Sequence, residues 1–364
     1  MIRMKTNNNN ILFLSLIIVT TLSCISCKKD DNTKTEEEVN NTTITNTFIE
    51  NEWTQIDSIL SSTFDYITDI EEDENGFVYV CSYNTSSKNS KISKININQE
   101  YTAFIDTSTS DYFISKVTSI GIKSTNDIYL GAQFFDEASI TKKIIKFNNN
   151  EFVSYIAPGG TVYGFEDFYF DNNGLWYGSG NSGLVNFNNS TFIEYNSFNS
   201  EVLYPNYIYN IVSYNDGFIF NTSNSLMAKN SNGFEVILSS ITNNAMDIDL
   251  QDNIWIINII SDLHNRYELI KYNGQDTIIF NMPAQPDSYP FISDLEVDND
   301  NNIWIATTGS NGQGLFKFDG VNWTIFTTEN SNIQSLYLTK LKSDIYGNLW
   351  VGSEDKGVII LNNN

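Results

Sequence analysis

Leu295-Glu-Val-Asp-Asn-Asp-Asn-Asn-Ile-Trp-Ile-Ala306 reads as a short strand, a polar turn and a second strand centred on an aromatic residue. Leu295 and Val297 alternate with polar neighbours, as do Ile303 and Ile305 around Trp304, which is the period of a strand. The Asp/Asn cluster between them is turn chemistry. The same phrase occurs seven times, with its aromatic anchor at Tyr79, Tyr129, Trp176, Phe220, Trp255, Trp304 and Trp350. Successive anchors lie 35 to 50 residues apart, about 45 on average. That period is the length of a four-stranded propeller blade. The chain is therefore expected to be all-β, a seven-bladed β-propeller.

Each repeat divides into strands a to d. Strand a is seen in Ile67-Thr-Asp-Ile70 and Ile208-Tyr-Asn-Ile211, and a turn such as Asp73-Glu-Asn-Gly76 or Asp344-Ile-Tyr-Gly347 follows. Strand b carries the anchor, strand c is clearest in Gly314-Leu-Phe-Lys-Phe318, and strand d in Trp323-Thr-Ile-Phe326. The fourth repeat is the loosest, with Phe220 in place of Trp and the shortest following interval. In the seventh, Gly357-Val-Ile-Ile-Leu361 is followed only by Asn362-Asn-Asn364. Glu52-Trp-Thr-Gln-Ile56 matches Asn322-Trp-Thr-Ile-Phe326 closely. The N-terminal segment is thus expected to supply strand d of the seventh blade and close the ring, leaving no open sheet edge.

Asp-x-x-Gly, then Leu/Ile-Trp-Val/Ile-Gly, then Gly-Leu-Phe-x-Phe resembles the two-component regulator propeller repeat. The likeness is strongest at Gly347-Asn-Leu-Trp-Val-Gly352, at Asn302-Ile-Trp-Ile-Ala306 with Gly314-Leu-Phe-Lys-Phe-Asp319, and at Gly174-Leu-Trp-Tyr-Gly178, and it covers about residues 51–364. The resemblance implies an extracytoplasmic recognition part, often for glycan fragments. The chain departs from the kinase members in having no membrane-spanning or kinase segment after its N-terminal leader, so recognition rather than direct signalling is expected.

Residues 1–26 read as a lipoprotein signal peptide. Arg3 and Lys5 precede an apolar run, Ile11 to Leu22, too short to span a bilayer. Leu22-Ser-Cys-Ile-Ser-Cys27 and then Lys-Lys-Asp-Asp31 resemble the lipobox and export signal of Bacteroidetes-type surface lipoproteins, with Cys27 as the lipidated residue and Cys24 as its competitor. Residues 27–47 are polar and aperiodic and read as a disordered tether, spanning about 25 Å as a coil. The propeller is assigned to 48–364. The expected location is the outer membrane, at the cell surface, through the N-terminal lipid. Cys81 is left as the one thiol of the folded part and reads as a small buried strand residue.

Charge excludes one class of partner. Forty-four acidic residues face 20 basic ones, a net charge of −24, so nucleic acid is not expected. Catalytic equipment is sparse. The one histidine, His264, lies beside Asp262 and Arg266 in a loop. Ser343-Asp-Ile-Tyr-Gly-Asn-Leu-Trp350 nearly matches the sialidase turn, but Ile345 occupies the position of its required Asp, and the arginines that sialidases use are missing. No cofactor is expected. Asp298-Asn-Asp-Asn-Asn302 offers alternating oxygens as calcium loops do, yet the turn calls for these residues in any case.

Propellers present ligands to the face carrying the d–a and b–c connections. Tyr112, Phe134, Tyr204 and Tyr289 are the candidate ligand-binding residues there, with Asp111 and Asp287 as polar partners and Phe135, Phe291 and Tyr337 nearby. Aromatic faces stack on sugar rings or anchor protein contacts. The expected function is noncatalytic recognition of a glycan or an envelope protein by a monomer. The alternatives are a carbohydrate-active lyase or hydrolase on the same scaffold, or a structural subunit of an envelope complex.

Overall fold

The computed structural model describes residues 53–55, 65–96, 98, 100–106, 116–135, 140–148, 151–158, 164–179, 182–199, 207–242, 245–260, 266–283, 291–309 and 312–362. The chain divides into units Met1–Lys34 and Thr35–Asn364, and every described residue belongs to the second. The signal peptide and tether, with Cys24 and Cys27, lie outside the described residues.

Strand β1 is Trp53–Gln55. Blade one follows as β2 (Asp65–Glu72), β3 (Val78–Asn84), β4 (Asn89–Ile95) and β5 (Tyr101–Asp106). Blade two is β6 (Lys116–Ser124), β7 (Asp127–Phe135), β8 (Ile140–Asn148) and β9 (Glu151–Ile156). Blade three is β10 (Phe168–Asp171), β11 (Gly174–Ser179), β12 (Gly183–Asn188) and β13 (Thr191–Tyr195). Blade four is β14 (Ile208–Tyr214), β15 (Gly217–Thr222), β16 (Ser225–Asn230) and β17 (Gly233–Ser239). Blade five is β18 (Met246–Ile248), β19 (Ile254–Ile260), β20 (Arg266–Tyr272) and β21 (Thr277–Asn281). Blade six is β22 (Phe291–Val297), β23 (Ile303–Thr308), β24 (Leu315–Phe318) and β25 (Trp323–Phe326). Blade seven takes β26 (Leu338–Ser343), β27 (Leu349–Ser353) and β28 (Val358–Leu361), with β1 outside them.

All seven sheets are four-stranded and antiparallel, so the chain is the seven-bladed propeller its period predicts. Closure also falls where the repeat places it. Trp53 pairs with Leu361, Thr54 with Ile360 and Gln55 with Ile359. Asn362 Nδ2 donates to Thr54 Oγ1 at 2.8 Å, and the Trp53 ring meets Phe326 of blade six edge-on at 5.8 Å.

The repeated turn has a physical origin. In blade six, Asp298 Oδ1 accepts the backbone N–H of Asp300 and of Asn302, while Oδ2 accepts Asn302 Nδ2 at 2.8 Å and Trp304 Nε1 at 2.7 Å. Asn301 has φ 61°, which Asn tolerates better than most residues. The arrangement repeats with Asp249 and Trp255, Asp344 and Trp350, and Asp73 with the Tyr79 hydroxyl. The left-handed position is Asp252, Gly347 and Gly76 in those blades. One carboxylate therefore closes the turn and holds the anchor six residues on. Lys94 and Lys271 of the third strands complete it in blades one and five, 3.6 Å from Asp73 and 3.5 Å from Asp249, above the Tyr79 and Trp255 rings. Blades two, three and four turn in two residues instead, and the Trp176 indole N–H has no acceptor among the described residues. Register also corrects the fourth anchor. Phe220 pairs with Ile211 as Val80 pairs with Ile70, so the anchor position of blade four is Ile219.

Among the described residues, the buried apolar side chains form seven clusters, each spanning the seam between two neighbouring blades. Close seams need small residues at the middle of the second strand. A Cβ on Gly352 would lie 2.6 Å from the Ile67 side chain, and one on Gly178 would lie 2.7 Å from the Ile208 carbonyl oxygen. Cys81, fully buried opposite Asp69, holds the corresponding place in blade one, and burial pushes its thiol well above the usual range.

Two outcomes test this account. Replacing Trp53 with Ala removes a large part of the closing strand's apolar contact and should cost about 2–3 kcal/mol in urea unfolding; an unchanged midpoint would mean that β1 does not close the ring. Trp304→Phe keeps the ring but leaves Asp298 Oδ2 without its indole donor, and should cost about 1–3 kcal/mol.

Candidate ligand-binding site

The innermost strands define an axial channel. Five of them carry a register shift near their midpoint, between Ile67 and Asp69, Val117 and Ser119, Ile208 and Ile211, Ile292 and Asp294, and Leu338 and Lys340. A bulge of this kind re-aims a side chain. Here the residue at or beside it is polar in every case. Asp69 accepts the N–H of Ile70 at 3.0 Å and that of Ile120, in the next blade, at 2.8 Å. Asp167 does the same with Phe168 and Ile211, and Asp294 with Leu295 and Leu341. Each of these carboxylates therefore ties one blade to the next. A second tier repeats the device: Asp247 accepts from Val297, and Glu296 from Ser343.

Blade seven supplies the countercharge. Lys340 lies 4.0 Å from Asp69 and Lys342 lies 3.3 Å from Glu71. Burial raises the carboxyls of Asp69 and Asp247 to about 6 and that of Asp167 to about 7, and it raises Asp294 and Glu296 as well. Lys340 pulls Asp69, Asp167 and Asp294 back down. Burial also opposes the Lys340 charge, but Asp294, Asp69, Asp167 and Glu166 outweigh it and hold the ammonium above the usual lysine range. The tiers enclose a cavity of about 190 Å³, lined by Asp69, Glu71, Asp167, Asp247, Asp294, Glu296, Lys340 and Lys342 among others. Ligand sites for organic molecules generally occupy about 300–1,000 Å³. The channel therefore has room for water or a small polar group, and much of its hydrogen-bonding capacity is spent holding blades.

The rims differ. At the a–b turns, polar groups lock neighbouring blades: Ile345 N–H donates to Glu72 Oε2 at 3.0 Å, Leu250 N–H to Asn301 Oδ1, and Thr125 N–H to Glu74 Oε1. The opposite rim, where first strands begin and second strands end, keeps aromatic surface open. Phe291 is 68% exposed, and Phe135 and Tyr337 are each 39% exposed.

Of the aromatic candidates, Phe134 is described. It lies within β7 opposite Thr141 rather than in a loop, half-buried against the seam of blades one and two, with Lys143 Nζ 4.1 Å from its ring centre. Tyr112, Tyr204 and Tyr289, with Asp111, Asp287 and His264, lie outside the described residues. The sequence reading missed Lys116, Gln133 and Lys142, which line up on this rim across blade two. Strand register brings them together, and no motif announces it. The oxygens of Asp298, read as a calcium candidate, accept the turn's own donors and the Trp304 indole. Among the described residues no group of three or more His, Cys, Asp or Glu side chains is placed to hold a metal ion.

This ring has solved counterparts. It is similar to two structures of the extracellular domain of BT4673 from B. thetaiotaomicron, one described as part of a hybrid two component system and the other of a one component system. The TM-scores are 0.62 and 0.63, at 17% and 18% identity, over 86% of this chain and 40% of those chains. The extracellular domain of the hybrid two component system protein BT3049 from the same organism matches at TM-score 0.60 and 16% identity, over 86% of this chain and 42% of its own. The chain thus spans about two fifths of the length of these neighbours, and at such identity the likeness is one of fold. No family model matches the sequence. No curated protein matches it either.

The channel predicts a pH dependence. Ordinary carboxyls titrate near 4 when unfolded. Between about pH 4 and pH 7 the folded ring holds protons that the unfolded chain releases, so stability falls as pH rises through that window. Melting should occur at higher temperature at pH 5 than at pH 7.5. Lys340→Met removes the cation that holds these carboxyls down, raises them further, and should lower the melting temperature more at pH 7.5 than at pH 5. An equal loss at both values would remove Lys340 from the charge balance.

Proposed function

We propose that this chain is the noncatalytic recognition module of an exported lipoprotein, anchored to the outer membrane through Cys27 and binding a glycan on the rim where its first strands begin. The observation that carries the reading is exposed aromatic surface on that rim. The rim where first strands begin exposes Phe291, Phe135 and Tyr337, the ring surface on which the reading rests. Exposed aromatic faces beside polar groups suit sugar rings, whose C–H faces stack and whose hydroxyls seek partners. The extracellular placement of the solved neighbours supports export. The buried carboxylates Asp69, Asp167 and Asp294 each accept backbone N–H groups from two blades, which suits a framework better than acid–base work.

The test is a melting-shift screen of the full lipidated protein against neutral and charged oligosaccharides, with affinity purification from native membranes alongside. A bound oligosaccharide at about a hundred times its Kd should stabilise the fold by about 2.7 kcal/mol. Phe291→Ala, at an exposed position, should weaken that binding about tenfold without lowering the melting temperature of the free protein. A stoichiometric protein partner with no oligosaccharide shift would replace the glycan by an envelope protein, and turnover of an oligosaccharide would replace recognition by catalysis. Cys27→Ala should release the protein from the membrane fraction.

A further inference from the structure

Blade two carries a row of polar side chains whose hydrogen-bonding capacity the fold uses only in part. Lys116 on β6 pairs with Gln133 on β7, and Gln133 pairs with Lys142 on β8. Directly opposed residues in antiparallel strands project to the same side, with Cβ atoms about 5 Å apart. The three therefore form one polar line running outward from the axis at the open rim.

Each has unspent capacity. Gln133 is 6% exposed, and its side-chain amide makes no hydrogen bond among the described residues. Lys142 is 3% exposed, and its ammonium donates to the Gly164 carbonyl oxygen at 3.0 Å, leaving two N–H groups unspent. Lys116 lies 5.6 and 5.4 Å from the ring centres of Tyr66 and Tyr83. Neither ammonium forms an ion pair among the described residues. Glu166 is the nearby carboxylate whose field favours both charges, and it is shared with Lys340. Burial lowers the amine of Lys116 and brings that of Lys142 down to about 8, the signature of cations short of countercharge. This occurs in a chain whose net charge is −24.

We propose that Lys116, Gln133 and Lys142 form a subsite for the anionic group, carboxylate or sulfate, of a charged sugar whose ring lies against Tyr66. The amide donates to one anionic oxygen while the two ammonium groups complete the pairing, and charge-assisted hydrogen bonds of this kind are the strong ones. The acid-rich channel below repels the same group, so the anion is confined to the rim. The inference rests on the recognition reading above and specifies its ligand.

The test follows the Gln133 side-chain amide by NMR in the intact chain, titrated with glucuronate, galacturonate, glucose 6-sulfate, glucose and galactose. A charged sugar should move that signal saturably while the neutral hexoses leave it in place. A response to the uronates alone identifies a carboxylate, and a response to the sulfate ester alone identifies a sulfate. Lys116→Met should weaken the response at least tenfold, as should Gln133→Leu, which also removes the unpaired amide and should not lower the melting temperature. Equal responses to neutral and charged sugars, or none to any charged probe, overturn the subsite. If a neutral oligosaccharide nevertheless binds through Phe291, recognition stands and the anionic subsite alone fails.

Discussion

No blade of this protein has a core of its own. Its buried side chains meet those of the next blade, so every cluster is half-built until a neighbour arrives. In a row of such units the two ends would each expose an apolar face. Here the seam between blades seven and one joins Ile67, Ile70, Val80 and Ile95 to Trp350, Val358 and Ile360, sequence neighbours of nothing they touch. Closure is therefore the condition on which the other six seams depend. Three residues, Trp53 to Gln55, supply the last strand by pairing with β28. Repeat stability is a sum of unit and interface contributions, and in a closed ring no interface is left unmade.

The same constraint accounts for the channel. Seven first strands converge on one axis, and their backbone groups must find partners across seams that contain no ladder. The carboxylates of Asp69, Asp167 and Asp294 bridge these gaps, each accepting N–H groups from both sides. Bringing several carboxylates together requires a cation. Two lysines from a single strand provide it, and burial nevertheless keeps the carboxyls of Asp69 and Asp167 raised. A neutral axis would avoid that penalty, but amide or hydroxyl side chains bind backbone N–H groups less strongly than a carboxylate does.

The sequence was most informative where one residue does several jobs. Asp298 closes a turn and holds Trp304, so neither can drift, and the pattern is visible in the text of the chain. Where the turn shortens to two residues the carboxylate no longer holds the anchor, though Trp176 of blade three stays legible. Blade four shows the result, since its true anchor position, Ile219, has neither ring nor carboxylate partner and Phe220 was taken for it. The polar row of blade two was illegible for a different reason. Lys116, Gln133 and Lys142 are separated by 17 and 9 positions in the chain and are joined only by strand register, which a single bulge resets. The aromatic candidates were legible as a composition of one rim, and Phe134 shows the cost of reading only that, because its ring is largely committed to a seam.

The proposal that a ligand meets the rim where first strands begin draws on how the blades are joined at the other. Turns between first and second strands are short and carry the Asp anchor, and their side chains reach the next blade, as Glu72 reaches Ile345 and Asn301 reaches Leu250. A change there disturbs two blades at once. The connections at the opposite rim leave the anchor and the carboxylate bridges untouched, so residues such as Phe291 can vary without opening a seam. Polar links cross this rim too, as Thr308 Oγ1 to Glu354 Oε1 does, and Lys142 makes another. Its ammonium reaches the Gly164 carbonyl of blade three, yet it has donors to spare. A structural role alone would be met by a neutral donor at lower desolvation cost. Those spare donors, beside a Gln133 amide that makes no hydrogen bond among the described residues, are what the anionic subsite proposed above draws on.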